Sequence, residues 1–455
     1  MADPKLTSAE KNLILAQKFV REVDIICIGD DFFKYNDGIW EIIQRQEVMA
    51  RLNSAYIKDW GPTNKTQITE VIRNIQSETF FQYEGAIKKM QEPRNGHINT
   101  LLGVLDLKTF KTEPYKREHL AFHRLPFDYI KGEKENHFPP VFAKFLTTSM
   151  GFKWDEEKGG TALKECEAMD YQYVMQFIQE WIGYSMLPGN RLHKALIMVG
   201  RGRNGKGVLQ EVWSHLVGDH NVSRIDLDGV NNPVTVSQTR NKLVNFSYDL
   251  QAGQQLDTGT VKAAVAGEWI TANEKYKAPY SFQFTAKMII ACNQLPWIKD
   301  TGAAVRERFY VLPFFRTFTE AERDPDLKQN IIENELGMIF TWAVDGLKNL
   351  LKRGYFIEPN RCKKALEQYM VDNDSVAQWI FDDELNVADP MEVKHAKAGR
   401  KELWRNYKDW CQDSGCRAYK KSTFFEKLRE QGYKEQRTNT ARYFIGLRLP
   451  NQVMF

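Results

Sequence analysis

Apolar and polar positions change period several times along the chain, and each change marks an expected element. Phe32-Phe33-Lys34-Tyr35 and Ile39-Trp40-Glu41-Ile42-Ile43 flank Asn36-Asp37-Gly38, whose Asp-Gly pair tolerates the positive φ of a tight turn, so a β-hairpin is expected. Helical spacing follows over Glu47–Ile57 and Ile68–Ile75, then a short-strand section at Leu101–Leu107 and the aromatic-rich His123–Ile130. The polar stretch Lys131–Pro140 ends in two prolines and predicts a boundary. Val141–Met150 and Tyr171–Met186 read as amphipathic helices. Apolar runs at Ala195–Val199, Lys242–Asp249, Lys287–Cys292 and Phe309–Phe314 read as strands, the first two of them buried. Asp326–Leu351 is helix-rich, and the segment 385–400, with Pro390, Gly399 and mixed charge, predicts a second boundary. In the tail, helix Glu402–Gln412 carries Leu403, Trp404, Tyr407 and Trp410 on one face. Ser422 is expected to cap a helix through Arg429, and Tyr433–Leu449 to form two strands turning at Asn439. That order of elements reads as a winged helix.

Composition narrows the class. At 455 residues the chain exceeds one ordinary core, so two or three domains are expected. The 42% hydrophobic and 27% charged residues are those of a soluble globular protein. No apolar run approaches the ~20 residues of a membrane span. Glu10 and Lys11 stand where a signal peptide would carry its apolar core, so a cytoplasmic protein without a membrane partner is expected. The six cysteines are scattered, Cys411 and Cys416 being the closest pair, and are expected as reduced thiols. His97, His119, His123 and His137 are spaced irregularly and read as surface or packing residues rather than metal ligands. A net charge of +4 permits nucleic-acid binding without arguing for it.

The candidate chemistry centres on Ala195–Lys206. An apolar strand breaks into Gly200-Arg201-Gly202-Arg203-Asn204-Gly205-Lys206 and resumes as a helix at Val208–Trp213. Strand, Gly-x-x-x-x-Gly-Lys and helix together make a phosphate-binding loop: glycines let successive N–H groups face one point, and the helix N-terminus adds positive potential. Lys206 then brings a full charge to the β- and γ-phosphates. Gly207 stands where such loops usually carry a Ser or Thr hydroxyl for Mg²⁺. Asp249, ending the second strand, reads as a Walker B acid able to hold Mg²⁺ and orient water. Asn293, after the third strand, can reach the γ-phosphate or its water. Arg306 and Arg308, just before the next strand, are candidates for a finger into a neighbour's ATP site.

Four blocks in this order, GRGRNGKG, LVNFSYDL, VKAAVAGEWITANEKYKAPYSFQFTAKMIIACNQLP and RERFYVLPF, resemble the superfamily 3 helicases of the phage, plasmid and poxvirus primase-helicase branch. YNDGIW, LGVLDLKT and LPFDY resemble the region that precedes the core in that branch. The resemblance implies an α/β fold with an AAA+-like P-loop ATPase core. It implies phosphate binding by Lys206 within Gly200–Gly207, Asp249 as the acid and metal ligand, Asn293 as polar sensor, and Arg308 as finger, with Glu307 in the place of the first arginine. It also implies a hexameric ring, ATP and Mg²⁺ between subunits, 3′-to-5′ travel on single-stranded DNA, and Lys275 and Lys277 at a hairpin tip in the channel. That tip also makes sense by itself, two lysines for phosphates and Tyr276 for base stacking. Gly207, and Tyr248 where many members have a second acid, depart from the pattern.

The expected division is an N-terminal α+β region (1–140), a helical subdomain (141–193), the ATPase core (194–318), a helical bundle (319–385) and a winged-helix domain (392–455). Basic residues crowd the last, and Lys420, Lys421, Lys427 and Arg429 are its candidate DNA contacts. The reading is an ATP-driven DNA helicase for replication of a phage, plasmid or other mobile element, acting on single-stranded and forked DNA. A primase, polymerase or origin-binding partner goes with it. The rivals are an origin-binding initiator or loader ATPase, the helicase part of a larger primase-helicase, and a DNA-binding ring whose ATPase is degenerate at Gly207. A small-molecule kinase would leave the basic tip and tail unexplained.

Overall fold

The computed structural model describes residues 6–28, 31–81, 97–130, 139–248, 255–256, 258–275, 279–298, 306–372, 374–382, 385, 396–415, 418–438 and 441–449. Its first helix, α1 (Ser8–Val23), opens on a reciprocal cap: Glu10 donates its N–H to Thr7 Oγ1, and Thr7 donates its own to the Glu10 carboxylate at 2.7 Å. Strand β1 (Ile25–Ile28) follows, antiparallel to β2 (Asp31–Asn36), which turns through Asp37-Gly38 into β3 (Ile39–Ile43). Both turn residues have positive φ, 46° and 94°, as the expected hairpin requires. Helices α2 (Arg45–Trp60) and α3 (Lys65–Thr79) pack with α1 around Leu15, Leu52, Val71 and Ile72, and β4 (Phe80–Phe81) lies parallel to β1.

Residues 97–130 lie between the N-terminal sheet and the main core. Strands β5 (His97–Asn99), β6 (Val104–Asp106) and β7 (Thr112–Glu113) form a small antiparallel sheet. Its Ile98 and Leu105, with Leu107 and Leu125, join the main core rather than the N-terminal one. The region expected as one unit over 1–140 thus faces two ways, since Leu120 and Phe122 pack instead with Ile26, Phe33 and Trp40 of the N-terminal sheet. The strand expected over 101–107 shortens to 104–106, because Thr100 donates its N–H to the Gly103 carbonyl and leaves Leu102 76% exposed in the turn.

Helix α4 (Pro140–Ser149) begins on a proline, and its next two amides, of Val141 and Phe142, donate to the Glu335 carboxylate at 2.8 and 2.7 Å. A short ladder, β8 (Trp154–Asp155) with β9 (Gly160–Thr161), leads to the long helix α5 (Glu165–Ser185). Then come β10 (Ala195–Val199), α6 (Lys206–Val217), β11 (Val222–Ser223), α7 (Leu227–Asn231) and β12 (Val244–Ser247). They are followed by β13 (Gln255–Leu256), α8 (Thr258–Ala266), β14 (Trp269–Ala272), β15 (Tyr280–Gln283), β16 (Lys287–Cys292), β17 (Trp297–Ile298) and β18 (Phe309–Pro313).

Five of these strands form one parallel sheet in the order β11-β12-β16-β10-β18. One face presents Leu196, Met198, Phe246, Ile289 and Leu312 to a core shared with α5 and α6; the other presents Ile197, Met288, Ile290 and Val311. Burial on both faces explains why these strands read as continuous apolar runs.

The helix-rich stretch after the sheet is two helices, α9 (Leu327–Asn334) and α10 (Leu336–Arg353), broken at the Glu335 that caps α4. Helix α10 lies against α5, where a Cβ on Gly183 would stand 2.2 Å from the Ala343 carbonyl oxygen. The helical subdomain and the bundle expected as separate units therefore pack on each other. Next come α11 (Asn360–Asp372) and α12 (Ser375–Asp382). The last unit contains β19 (Lys397–Gly399), α13 (Arg400–Asp413), α14 (Lys421–Glu430), β20 (Glu435–Arg437) and β21 (Arg442–Ile445), with sheet order β19-β21-β20. The segment read as a boundary thus supplies an edge strand, and Trp379 of α12 packs into this unit with Tyr407 and Phe424. Helix α14 is preceded by Lys420, so Ser422 lies in its first turn instead of capping it. Asn439 lies outside the described residues, as do Cys416 and His137. Among the described residues no helix is long and apolar enough to cross a membrane.

Candidate nucleotide-binding site

The loop after β10 is held from both sides. Gly200 donates its N–H to the Cys292 carbonyl of β16 at 3.3 Å, and Phe314, just past β18, donates to the Val199 carbonyl at 2.7 Å. The loop therefore leaves the C-terminal edge of a parallel sheet, where such folds place ligands. Arg203 and Gly205 take left-handed φ values of 64° and 92°, and the Arg203 carbonyl accepts from Phe318 at 2.9 Å. Gly205 is the N-cap of α6, so the loop ends on a helix N-terminus.

Lys206 is the first residue of that helix and is 7% exposed. Its ammonium donates to the Gly200 carbonyl at 2.5 Å, Asn204 Oδ1 at 3.2 Å and Asn293 Oδ1 at 3.5 Å. Lys206 and Asn293, 87 positions apart, thus converge on one point. Asn204 is 2% exposed, and its Nδ2 is a buried donor without a hydrogen-bond partner. A buried amine beside an unsatisfied amide donor at a helix N-terminus fits an anionic group, and the loop fits a nucleotide's phosphates. The Cys292 thiol alongside is pushed up to about 12 by burial and stays protonated.

Behind the loop stand Phe145 and Ser149 of α4, which sequence reading passed over. A Cβ on Gly205 would lie 2.6 Å from Ser149 Oγ and 2.8 Å from Phe145 Cε2. No local signal marks them, because their role comes from a helix more than fifty positions away. Gly207 is exposed, and a Cβ there would meet nothing within 4 Å, so the missing hydroxyl is not a matter of space. Tyr248 packs against the core face that carries α6. Asp249, the candidate acid and metal ligand, lies outside the described residues. Among the described residues no group of three or more His, Cys, Asp or Glu side chains could hold a metal ion. His97 and His119 lie with ring centroids 5.7 Å apart, and buried His123 bonds through Nε2 to the Asn241 carbonyl at 2.9 Å.

Arg308 is not brought to this point. Its carbonyl accepts from Ala195 at 2.8 Å, which sets it at the N-terminal edge of the sheet. The full length of β10 separates it from Gly200, about 17 Å at ~3.3 Å per residue. Arg201, Gly202 and Arg203 are exposed on the loop. The hairpin implied by the family resemblance is present as β14 and β15, paired from Trp269↔Gln283 to Ala272↔Tyr280. Lys275 is exposed in its connection, and Tyr276 and Lys277 lie outside the described residues. In the tail, Lys420 and Lys421 are exposed. Lys427 is 8% exposed and pairs with Asp374 and Glu430, each at 3.6 Å, while Arg429 pairs with Glu435 at 3.1 Å.

A five-stranded parallel sheet with a glycine-rich, lysine-bearing loop at its C-terminal edge has the architecture of a P-loop ATPase core. The comparisons with known proteins extend this. A family model described as a family of unknown function, DUF5906, matches residues 198–308. The chain is distantly homologous to viral proteins named Putative helicase: 121R of Invertebrate iridescent virus 3, 24% identical over 159 residues, and L207/L206 of Acanthamoeba polyphaga mimivirus, 28% identical over 139. These matches take in 32% and 27% of this chain but only 17% and 13% of the relatives' own lengths. In fold, the chain is similar to the apo C-terminal region of NrS-1 (residues 305–718), with TM-score 0.52 at 14% identity, covering 96% of this chain and 100% of that one.

Proposed function

We propose that this chain is an ATP-driven DNA helicase of the superfamily 3 type, working in replication of a phage, plasmid or other mobile element. The observation that carries the reading is the convergence of Lys206, Asn204 and Asn293 at the loop, joined to homology with proteins named as helicases. The strand order, with β16 between the loop strand β10 and β12, supports an AAA+-like core.

ATP held at the loop supplies the γ-phosphate whose transfer to water drives movement. In binding, the Lys206 ammonium exchanges the Gly200 carbonyl for phosphate oxygens, and Asn204 Nδ2 gains the acceptor it lacks. Asn293, already within reach of Lys206, orients the attacking water. Asp249 would hold Mg²⁺, which would neutralise charge on the phosphates, and Gly207 would offer it no hydroxyl. Arg308, a strand's length from its own loop, serves a neighbouring subunit's site, and that division favours a ring, hexameric in the family it resembles. Lys275, Tyr276 and Lys277 grip single-stranded DNA, and the tail contacts duplex through Lys420 and Lys421.

A binding ring with a weak ATPase is the second reading, favoured by Gly207 and Tyr248 at two positions where metal-organising side chains are usual. The test is displacement of a strand from forked duplexes carrying 3′ or 5′ tails. ATP-dependent displacement on 3′ tails that is lost in Lys206→Ala supports the motor. Fork binding with no displacement by wild type supports the ring.

A further inference from the structure

Among the described residues, three sets of contacts bear on how the β14–β15 hairpin is held. Its apolar face, Ala272 and Phe282, is fully buried against Val230, Val236, Val261 and Ala264. Toward its tip, Asn273 donates its N–H to the Pro233 carbonyl at 2.8 Å. The third tie is Arg240, whose guanidinium lies 4.7 Å from the centroid of the Tyr280 ring, while the Tyr280 hydroxyl donates to Glu274 Oε1 at 2.8 Å. Glu274 directly precedes Lys275, so this contact reaches the base of the tip.

The same guanidinium donates to the carboxylate of Asp31, the first residue of β2. The two side chains are 14% and 26% exposed, which shelters the pair from full solvent screening. Next to Arg240, Asn241 turns through a left-handed φ of 55°, and its carbonyl accepts from the buried His123, which fixes the backbone that carries the guanidinium. One side chain therefore touches two bodies with separate apolar cores, the N-terminal unit and the hairpin.

We propose that Arg240 is a positioning residue through which the N-terminal unit sets the stance of the β14–β15 hairpin on a nucleic-acid strand. The proposal rests on the reading of that hairpin as the strand-gripping element. A planar guanidinium suits the task, since its edge donates to Asp31 while its face stacks on Tyr280. A displacement of β2 tilts the plane over the ring and reaches Lys275 through Tyr280 and Glu274.

The test compares Arg240→Ala, Arg240→Lys and Asp31→Asn with wild type in the full chain. Amide exchange over residues 269–283 reads the hairpin directly, and the oligo(dT) concentration for half-maximal stimulation of ATP hydrolysis reads its use. Arg240→Ala is expected to speed hairpin exchange about tenfold and raise that concentration severalfold, with KM for ATP unchanged. Arg240→Lys, which keeps charge but loses the planar stack, should recover only part of both. Asp31→Asn, which leaves the stack in place, should shift both in the same direction. Unchanged hairpin exchange in Asp31→Asn would overturn the proposal, as would exchange raised equally across the whole chain. Altered hairpin exchange in a protein whose hydrolysis ignores oligo(dT) would uphold the coupling and overturn the strand-gripping role.

Discussion

The loop geometry makes opposite predictions for one chemical change at two positions. Gly205→Ala puts a side chain at φ 92°, where a left-handed backbone costs an L-residue about 1–2 kcal/mol. Its Cβ would also overlap Ser149 Oγ and Phe145 Cε2, at 2.6 and 2.8 Å, and both residues are buried in α4. Overpacking of that kind adds about 1–3 kcal/mol. Gly207→Ala, in contrast, enters α6 at an ordinary helical position with nothing within 4 Å, where replacing glycine gains about 0.5–1 kcal/mol. Thermal unfolding should place the Gly205→Ala midpoint roughly 5–15 °C below wild type and the Gly207→Ala midpoint a degree or two above it, at about 2–4 °C per kcal/mol for a core of this size. Phosphate binding, followed with a fluorescent ATP analogue, should be lost in the first and kept in the second. Midpoints that move in the same direction would refute the loop as described.

Gly207→Ser restores a hydroxyl in open space, so the Mg²⁺ concentration for half-maximal hydrolysis should fall severalfold; an unchanged value would show that the metal is held elsewhere. Burial lowers the His123 imidazole from its ordinary 6.5 to about 4, so the unfolded chain takes up that proton first. Stability is therefore lost as pH falls from about 6.5 to 4, by on the order of 3 kcal/mol, and His123→Gln should flatten the acid limb of a denaturation series against pH. In the tail, Lys420→Ala/Lys421→Ala should weaken duplex binding and reduce its salt slope by about 2 at most. Lys427→Ala should instead lower the unfolding midpoint slightly, by about 1 kcal/mol, because Asp374 loses an ion-pair partner but keeps the Val376 and Ala377 amides.

What could be read from the sequence was what lies contiguous in it. The strand, the glycines and Lys206 fall within twelve residues, and each flank confirms the other. The Asp37-Gly38 hairpin was equally local. The β14–β15 hairpin came through the family resemblance, since the exposed Trp269 puts an apolar residue on its outer face and blurs the alternation. Helix α1 escaped notice although Thr7 and Glu10 spell its cap, and β1 is a four-residue run too short to distinguish from a buried helix segment. Tertiary relations were out of reach: the backing of Gly205 by α4, the packing of α5 on α10, and the break at Glu335 that serves Val141, 194 positions earlier. In the tail, charge counting gave the sign of Lys427 and Arg429 but not their ion pairs with Asp374 and Glu435, which are tertiary.

In the proposed motor the phosphate loop hydrolyses ATP and the β14–β15 hairpin couples that hydrolysis to a DNA strand. ATP hydrolysis with and without single-stranded DNA, in wild type, Lys206→Ala and Lys275→Ala/Lys277→Ala, tests it most directly. A motor of this kind shows no hydrolysis in the first variant, and in the second a basal rate near wild type that DNA no longer stimulates. Wild-type hydrolysis indifferent to DNA, or stimulation that survives in the lysine double variant, would contradict it.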